Sequence, residues 1–326
     1  MKNYKSLEML KQANKVCIIS HIDPDADALC SMVVLGNILK DKYKLKSIDL
    51  FAETENIADN YKEIIQNVRY NPECSDYDVA IMIDCPNTDR ISCYEPLFDN
   101  AKTRIVIDHH DTNKHQGDIN IVEVCSSACE IVFAIGEELK YKFTKADYAM
   151  VYAGLITDTG NFSVGRISPR TFVTASKCVE HVDYERLYRN FFSNNTVKNT
   201  MLYALAINNM KTYCDDRIVI THINKNEAKK YDVVADDYTG IINRLATIGK
   251  SRLVAFIHPK KGEYYVSMRA RLGYDVSKIA VSHGGGGHVG AAAYLAKGSV
   301  DAIEKEMKKL FEEELNSKQE IKENLF

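Results

Sequence analysis

The stretch Val16-Cys-Ile-Ile-Ser-His-Ile-Asp-Pro-Asp-Ala-Asp27 is an apolar run that breaks off on polar and acidic residues. Its opening, up to Ser20, reads as a strand buried on both faces. The apolar periodicity from Ala28 to Leu39 predicts a helix directly behind it. The same alternation recurs downstream. Strands are expected at Ser47–Phe51, Asp78–Ile83 and Arg104–Ile107, with a helix at Ile57–Gln66. Buried strands interleaved with helices imply an α/β domain on a parallel sheet. Further helices are expected at Ala128–Leu139, Lys145–Ile156 and Pro169–Glu180, the last with Pro in its favoured first turn.

A chain of 326 residues favours two domains. Residues 1–185 read as the parallel-sheet domain and 186–214 as a helical linker, rich in polar residues such as Asn194, Asn195, Asn208 and Asn209. Residues 215–326 read as a smaller α/β domain. Its expected elements are strands at Arg217–His222, Arg252–His258 and Glu263–Ala270, a helix near Asp237–Ala246 and a glycine run at 284–287. A charged, solvated helix is expected from Val300 to Asn324.

Composition narrows the function classes. An apolar fraction of 45% with 27% charged residues is that of an ordinary globular protein. No run approaches the roughly 18 apolar residues of a membrane span. Met1 to Lys15 alternates charged and apolar residues without a signal-peptide pattern, so a cytoplasmic protein is expected. The nine cysteines form no C-x-x-C pair. Cys17 and Cys30 lie among apolar neighbours, and Cys125 and Cys129 have helical spacing without a ligand cluster; all are read as reduced core thiols. A net charge of −3 fits small anionic substrates better than long nucleic acid, whose binding rests on phosphate neutralisation.

Chemistry-bearing residues gather where the strands end. His21, Asp25 and Asp27 follow the first strand, Asp84 the third, and Asp108-His109-His110 the fourth. A fourth element, Gly154-Leu-Ile-Thr-Asp158, puts Asp158 at a helix end. Singly, Asp25 or Asp27 would be a helix cap, Asp84 a turn residue, and each His an ordinary core or surface group. Together they change the balance. Ligands bind at the carboxyl ends of strands in open α/β sheets, and carboxylates crowded there repel one another unless divalent cations lie among them. Carboxylates with a few imidazoles and no thiolate suit Mn²⁺ or Mg²⁺.

In order and spacing these segments resemble the DHH phosphoesterase family. His21, Pro24, Asp25 and Asp27 match its H-x-x-P-D-x-D pattern; Asp84, Asp108-His109-His110 and Asp158-Thr159-Gly160 match its later motifs. The run Gly284-Gly-Gly-Gly-His288, with Ala291 and Ala292, is similar to the G-G-G-H-x-x-A-A signature of the DHH-associated domain in the nanoRNase and pAp-phosphatase branch, and Ser267-Met-Arg269 to that domain's S-x-R strand. The resemblance implies two metal ions, most often manganese. One would be held by His21, Asp25 and Asp84, the other by Asp27, Asp84, His109 and Asp158, with Asp84 bridging. His110 would contact the phosphoryl group or protonate the leaving oxygen, and Asp108 would orient a ligand His. Arg269, Gly285, Gly286, Gly287 and His288 would cradle a substrate phosphate, through backbone N–H groups and a bidentate guanidinium. The implied activity is hydrolysis of short oligoribonucleotides to mononucleotides, or of pAp to AMP. Cyclic or linear dinucleotides such as pApA, pyrophosphate, and nucleotide binding without catalysis are the alternatives. Expected partners are short RNA or small nucleotides, with no long nucleic acid and no membrane; pairing into a homodimer is compatible with all of this.

Some positions depart from the family pattern. Asp23 adds a carboxylate and is expected to face solvent; Cys30 replaces a Gly with only a packing consequence; Ala270 and Ala293 bear on substrate choice. Asn87 and Arg90 are expected in loop or surface contacts, and Ser127 with Glu130 in a capping box. His258, Lys260 and Lys261 read as a solvated basic turn, and Tyr264, Tyr265 and Tyr274 as packed strand residues before base-stacking ones.

Overall fold

The computed structural model describes residues 4–53, 61, 62, 64–72, 76–193, 196–233, 235–238, 240–271 and 273–317. They divide into two compact units, Met1–Asn194 and Asn195–Phe326. The first holds strands β1 (Lys15–Ile19), β2 (Ser47–Phe51), β3 (Val68–Arg69), β4 (Val79–Ile83), β5 (Thr103–Asp108) and β6 (Ile119–Val122). Its helices are α1 (Ala26–Tyr43), α2 (Glu95–Asp99), α3 (Ala128–Glu138), α4 (Lys145–Asp158), α5 (Pro169–Val179) and α6 (Tyr184–Phe192). All six strands are parallel, in the order β3-β2-β1-β4-β5-β6. Two apolar cores flank the sheet. Ile18, Ile81 and Ile107 point into one with α1, α3 and α4, while Cys17, Ile19, Ala80 and Met82 point into the other with Tyr94 and Phe98. The alternation along each strand is why those strands read as apolar throughout.

The expected parallel-sheet α/β architecture is present, with two strands more than the sequence announced. β3 has only two residues, and β6 interrupts its apolar residues with Asn120, so neither carried a pattern. The expected helix at 57–66 lies partly outside the described residues; within it, Ile65–Asn67 begins a 3-10 turn. Ends are set by local chemistry. Asp25 caps α1 by accepting from the Ala28 N–H at 3.0 Å, and Lys44, at φ 52°, ends the helix in the left-handed region.

The second unit opens with α7 (Val197–Asn208), followed by β7 (Lys211–Tyr213), β8 (Ile218–His222), α8 (Lys225–Lys230), α9 (Ile241–Leu245), β9 (Leu253–Lys260), β10 (Glu263–Ala270), α10 (Ser277–Ser282), β11 (Gly286–His288), β12 (Ala291–Ala296) and α11 (Val300–Asn316). Its mixed sheet runs β11-β12-β10-β9-β8-β7. Of the stretch read as a linker, Leu187, Phe191 and Phe192 on α6 pack on the first unit's core, and Leu202 and Ala206 on α7 join a core of the second. The helix expected at 237–246 is broken at Gly240, φ 78°, into a 3-10 turn and α9. Part of the glycine run is a strand, β11, and the end of the expected last helix lies outside the described residues. No described helix is long and apolar enough to cross a membrane.

Candidate metal centre

In the first sheet the order reverses between β1 and β4, the switch point where a crevice opens at the carboxyl ends of parallel strands. β1 delivers His21, Asp25 and Asp27, β4 delivers Asp84, and β5 ends on Asp108 with His109 and His110 behind it. Asp158 arrives from the last residue of α4. Ligand-capable atoms of His21, Asp25 and Asp84 lie within 4.8 Å of one another, as do those of Asp27, His109 and Asp158. His109 Nε2 stands 3.2 Å from Asp84 Oδ1 and 3.5 Å from Asp158 Oδ2, so Asp84 sits where the two groups meet. The backbone turns sharply there, with Asp84 at φ 52°.

Several of these groups are aimed by a neighbour. The Cys125 carbonyl accepts from His109 Nδ1 at 3.3 Å, which turns Nε2 toward the carboxylates. His21 Nδ1 meets the Ile22 carbonyl at 2.7 Å, leaving Nε2 directed at Asp84. Asp27 accepts from the Ala128 N–H at 2.6 Å and the Cys129 N–H at 3.0 Å, two donors of the α3 N-terminus. Gly154 makes this approach possible: a Cβ there would stand 2.6 Å from Asp27 Oδ1 and 2.4 Å from Cys129 Sγ. Asp108 was expected to orient a ligand His. Instead it accepts from His110 Nδ1 at 2.8 Å and Asn113 Nδ2 at 2.6 Å, while His109 leans on a backbone carbonyl.

The electrostatics ask for cations. Burial and Asp27 push the Asp84 carboxyl well up; burial pushes Asp27 up; burial and Asp27 push Asp158 up to about 7. Burial alone would lower His109, yet Asp84, Asp27 and Asp158 outweigh it and drive it up to about 11. Asp108 goes the other way: burial opposes its charge, but the bonds from His110 and Asn113 hold it below the usual carboxylate range. Asp84 Oδ1 is buried and accepts no hydrogen bond. A buried, unsatisfied carboxylate oxygen between two oxygen- and imidazole-bearing groups fits divalent cations, and the donor set suits Mn²⁺ or Mg²⁺.

In the second unit Arg269 is half-buried on β10, its Nε bonded to Asn243 Oδ1 at 3.0 Å and a terminal nitrogen to the Met268 carbonyl at 2.9 Å. Among the described residues no carboxylate pairs with it. Desolvation lowers its pKa, so an anion would be favoured beside it. The glycines divide in two. A Cβ on Gly285 would meet the Ala293 carbonyl at 2.2 Å and one on Gly287 the Ala291 carbonyl at 2.5 Å, whereas Gly284 and Gly286 face open space. The His288 side chain lies outside the described residues.

Other expectations fare unevenly. Asp23 is exposed and Cys30 fully buried in the core. Cys17, Cys85, Cys125, Cys129 and Cys178 are buried free thiols as well, but Cys93 is exposed and Cys214 half-exposed, and Cys74 lies outside the described residues. Ser127 caps α3, yet Glu130 turns away to Thr171 and Arg170, so only half of the capping box forms. The Asn87 carbonyl holds the Arg90 N–H in a tight turn, and Arg90 is exposed. Lys261 does sit in a hairpin turn, but His258 is buried in β9 and stacks on Tyr238 with ring centres 4.1 Å apart, which overturns its assignment to a solvated loop. Tyr264 and Tyr274 pack in the second core.

Comparison with known proteins bears on the same two regions. Residues 15–157 match the model described as the DHH family, N-terminal domain, and residues 215–316 the DHHA1 domain. A probable bifunctional oligoribonuclease and PAP phosphatase of Streptococcus mutans is 27% identical, covering 86% of this chain and 89% of the relative. The bifunctional oligoribonuclease and PAP phosphatase of Bacillus subtilis is 23% identical over 82% of this chain and 85% of its own. Among solved structures, an exopolyphosphatase-related protein from Bacteroides fragilis superposes with a TM-score of 0.85 at 22% identity, covering 96% and 94% of the two chains. RecJ from Thermus thermophilus in complex with Mn²⁺ gives a TM-score of 0.54 at 14% identity, covering 97% of this chain and 55% of RecJ. These two likenesses concern the fold.

Proposed function

The chain belongs to the DHH family of phosphoesterases, with a DHHA1 domain as its second unit, and we propose that it hydrolyses short oligoribonucleotides to mononucleotides and pAp to AMP. The observation that carries this reading is the pair of ligand groups, His21-Asp25-Asp84 and Asp27-His109-Asp158, meeting at Asp84. The relatives' activities, as their names state them, point to the substrates. Reduced buried thiols accord with work in the cytoplasm.

His21, Asp25 and Asp84 would hold one Mn²⁺, and Asp27, Asp84, His109 and Asp158 a second, Mg²⁺ being the other ion this donor set accepts. Such a pair, when bound, would supply a water acidified enough to attack and charge to neutralise the phosphoryl oxygens. The chain's own groups do the remainder. The attacking oxygen bonds to phosphorus as the bond to the leaving oxygen breaks, and that oxygen needs a proton. His110 would give it from Nε2, with Asp108 holding Nδ1 at 2.8 Å and fixing the ring. Asn113 pins the second oxygen of Asp108, so the pair cannot swing. On the second unit, Arg269 and the backbone N–H groups around Gly286 would take a substrate phosphate, with His288 beside them.

The test is a rate comparison on RNA two to five nucleotides long and on pAp, with Mn²⁺ supplied and then chelated. Release of mononucleotides or AMP only with metal is the expected result. No turnover of either substrate with metal present would sink the proposal.

A further inference from the structure

The segment between β6 and the first turn of α3, residues 123–130, touches the metal centre at three points. The Glu123 N–H donates to the Asp108 carbonyl at 3.0 Å. The Cys125 carbonyl holds His109, and the Ala128 and Cys129 N–H groups hold Asp27. One short stretch of backbone therefore sets the direction of two ligand side chains, one in each of the motifs that flank Asp84. A shift along this segment would move both.

Both ends of the segment are gripped by one side chain. Arg170, in the first turn of α5, meets Glu123 Oε2 at 2.7 Å and Glu130 Oε1 at 3.1 Å, and donates to the Glu130 carbonyl at 3.0 Å. Glu123 and Glu130 are almost fully buried. Tyr4 steadies Glu123 through its hydroxyl at 2.8 Å, while Ser126 and Thr171 donate to Glu130. Two buried carboxylates against one guanidinium is a costly arrangement whose use is geometric: the planar fork spans two acids that a lysine ammonium reaches only as a point charge. We propose that Arg170, which touches no ligand, is a positioning residue that holds His109 and Asp27 in the geometry the cations need. This rests on the two-metal reading above.

The experiment is Mn²⁺ titration by calorimetry of the full chain and of R170K, with urea unfolding of both metal-free proteins. The wild type is expected to bind Mn²⁺, and folded R170K to bind it about 10–100-fold more weakly, the range found when outer partners of metal ligands are removed. A folded R170K that is merely less stable but binds Mn²⁺ as tightly as the wild type would overturn the inference. Should R170K not fold, R170Q/E123Q, which restores the charge balance, takes its place with the same expected weakening, and undiminished affinity in it is equally fatal. A wild-type chain that takes up no Mn²⁺ would remove the metal reading first, and this inference with it.

Discussion

The carboxyl edge of the first sheet and the β11–β12 edge of the second use small residues and charge in opposite ways. In the first unit the charges are crowded and mostly buried, and two of them are fixed by backbone groups: Asp27 by the α3 N-terminus, His109 by the Cys125 carbonyl. In the second, a single half-buried Arg269 is lightly tethered beside a glycine hairpin whose alternate positions stand open. On the proposed two-metal reading the first edge would hold cations tightly, and small displacements there would cost chemistry. On the same proposal the second would take a diffuse anion, and changes there should cost affinity for substrate.

The sharpest way to break that contrast is D84N. Asn tolerates the left-handed backbone that Asp84 adopts, so the exchange removes charge without straining the turn. Turnover of short RNA should fall about 10³-fold, from several kcal/mol of lost charge stabilisation. The metal-free protein should melt a few degrees higher, because the amide has no ionised form for burial and Asp27 to oppose. Thermal melting with and without Mn²⁺ reads both effects. A D84N enzyme of undiminished rate would contradict the site.

G154A is next. Its Cβ would press on Asp27 and Cys129, at about 1–3 kcal/mol of stability, and displacement of Asp27 should weaken Mn²⁺ binding about 10–100-fold. G286A, which meets nothing, should leave Mn²⁺ binding and stability within about 0.5 kcal/mol of wild type. Calorimetric titration of the two variants side by side sharpens the comparison. Equal Mn²⁺ affinities would show that close packing at Gly154 has no bearing on the ions.

R269A carries the same contrast to the second edge. Losing a charge-assisted contact worth about 1.5–3 kcal/mol should raise KM for short RNA about 10–100-fold, with Mn²⁺ affinity unchanged. Steady-state kinetics at saturating metal decide it. A fall in kcat alone would move Arg269 out of ground-state phosphate binding.

What was legible in the sequence follows from what each feature leaves in it. Buried parallel strands are continuously apolar and the residues after them abruptly polar, so β1, β4 and β5 and the residues that end them could be read directly. The two-residue β3 and the β11 strand inside a glycine run leave no pattern. Backbone groups are equally silent. Nothing marks the Cys125 carbonyl as the partner of His109, and Asp108 therefore looked available to do that work. Ser127 did announce the start of α3, and with it the N–H groups that hold Asp27; that signal was present and taken only as a cap. His258 shows the reverse failure, a basic-looking stretch whose first member faces inward.

The smallest expected effect concerns pH, and it too separates the two edges. In the metal-free folded chain Asp158 is raised from 3.8 to about 7 and His109 from 6.5 to about 11, while Asp27 and Asp84 also hold protons more tightly than they would when unfolded. A raised folded pKa contributes stability below the unfolded value that is lost as pH rises through the folded one. The metal-free first unit should therefore lose stability from pH 5 to pH 8, with a melting point lower by about 5 °C. Mn²⁺ should reverse the trend, since its ligands must be deprotonated, and the metal-induced rise in melting point should grow over the same interval. Arg269 does not titrate in this range, so it should contribute nothing to the slope. A metal-free melting point that climbs between pH 5 and pH 8 would mean that the carboxylates do not crowd one another as their positions require.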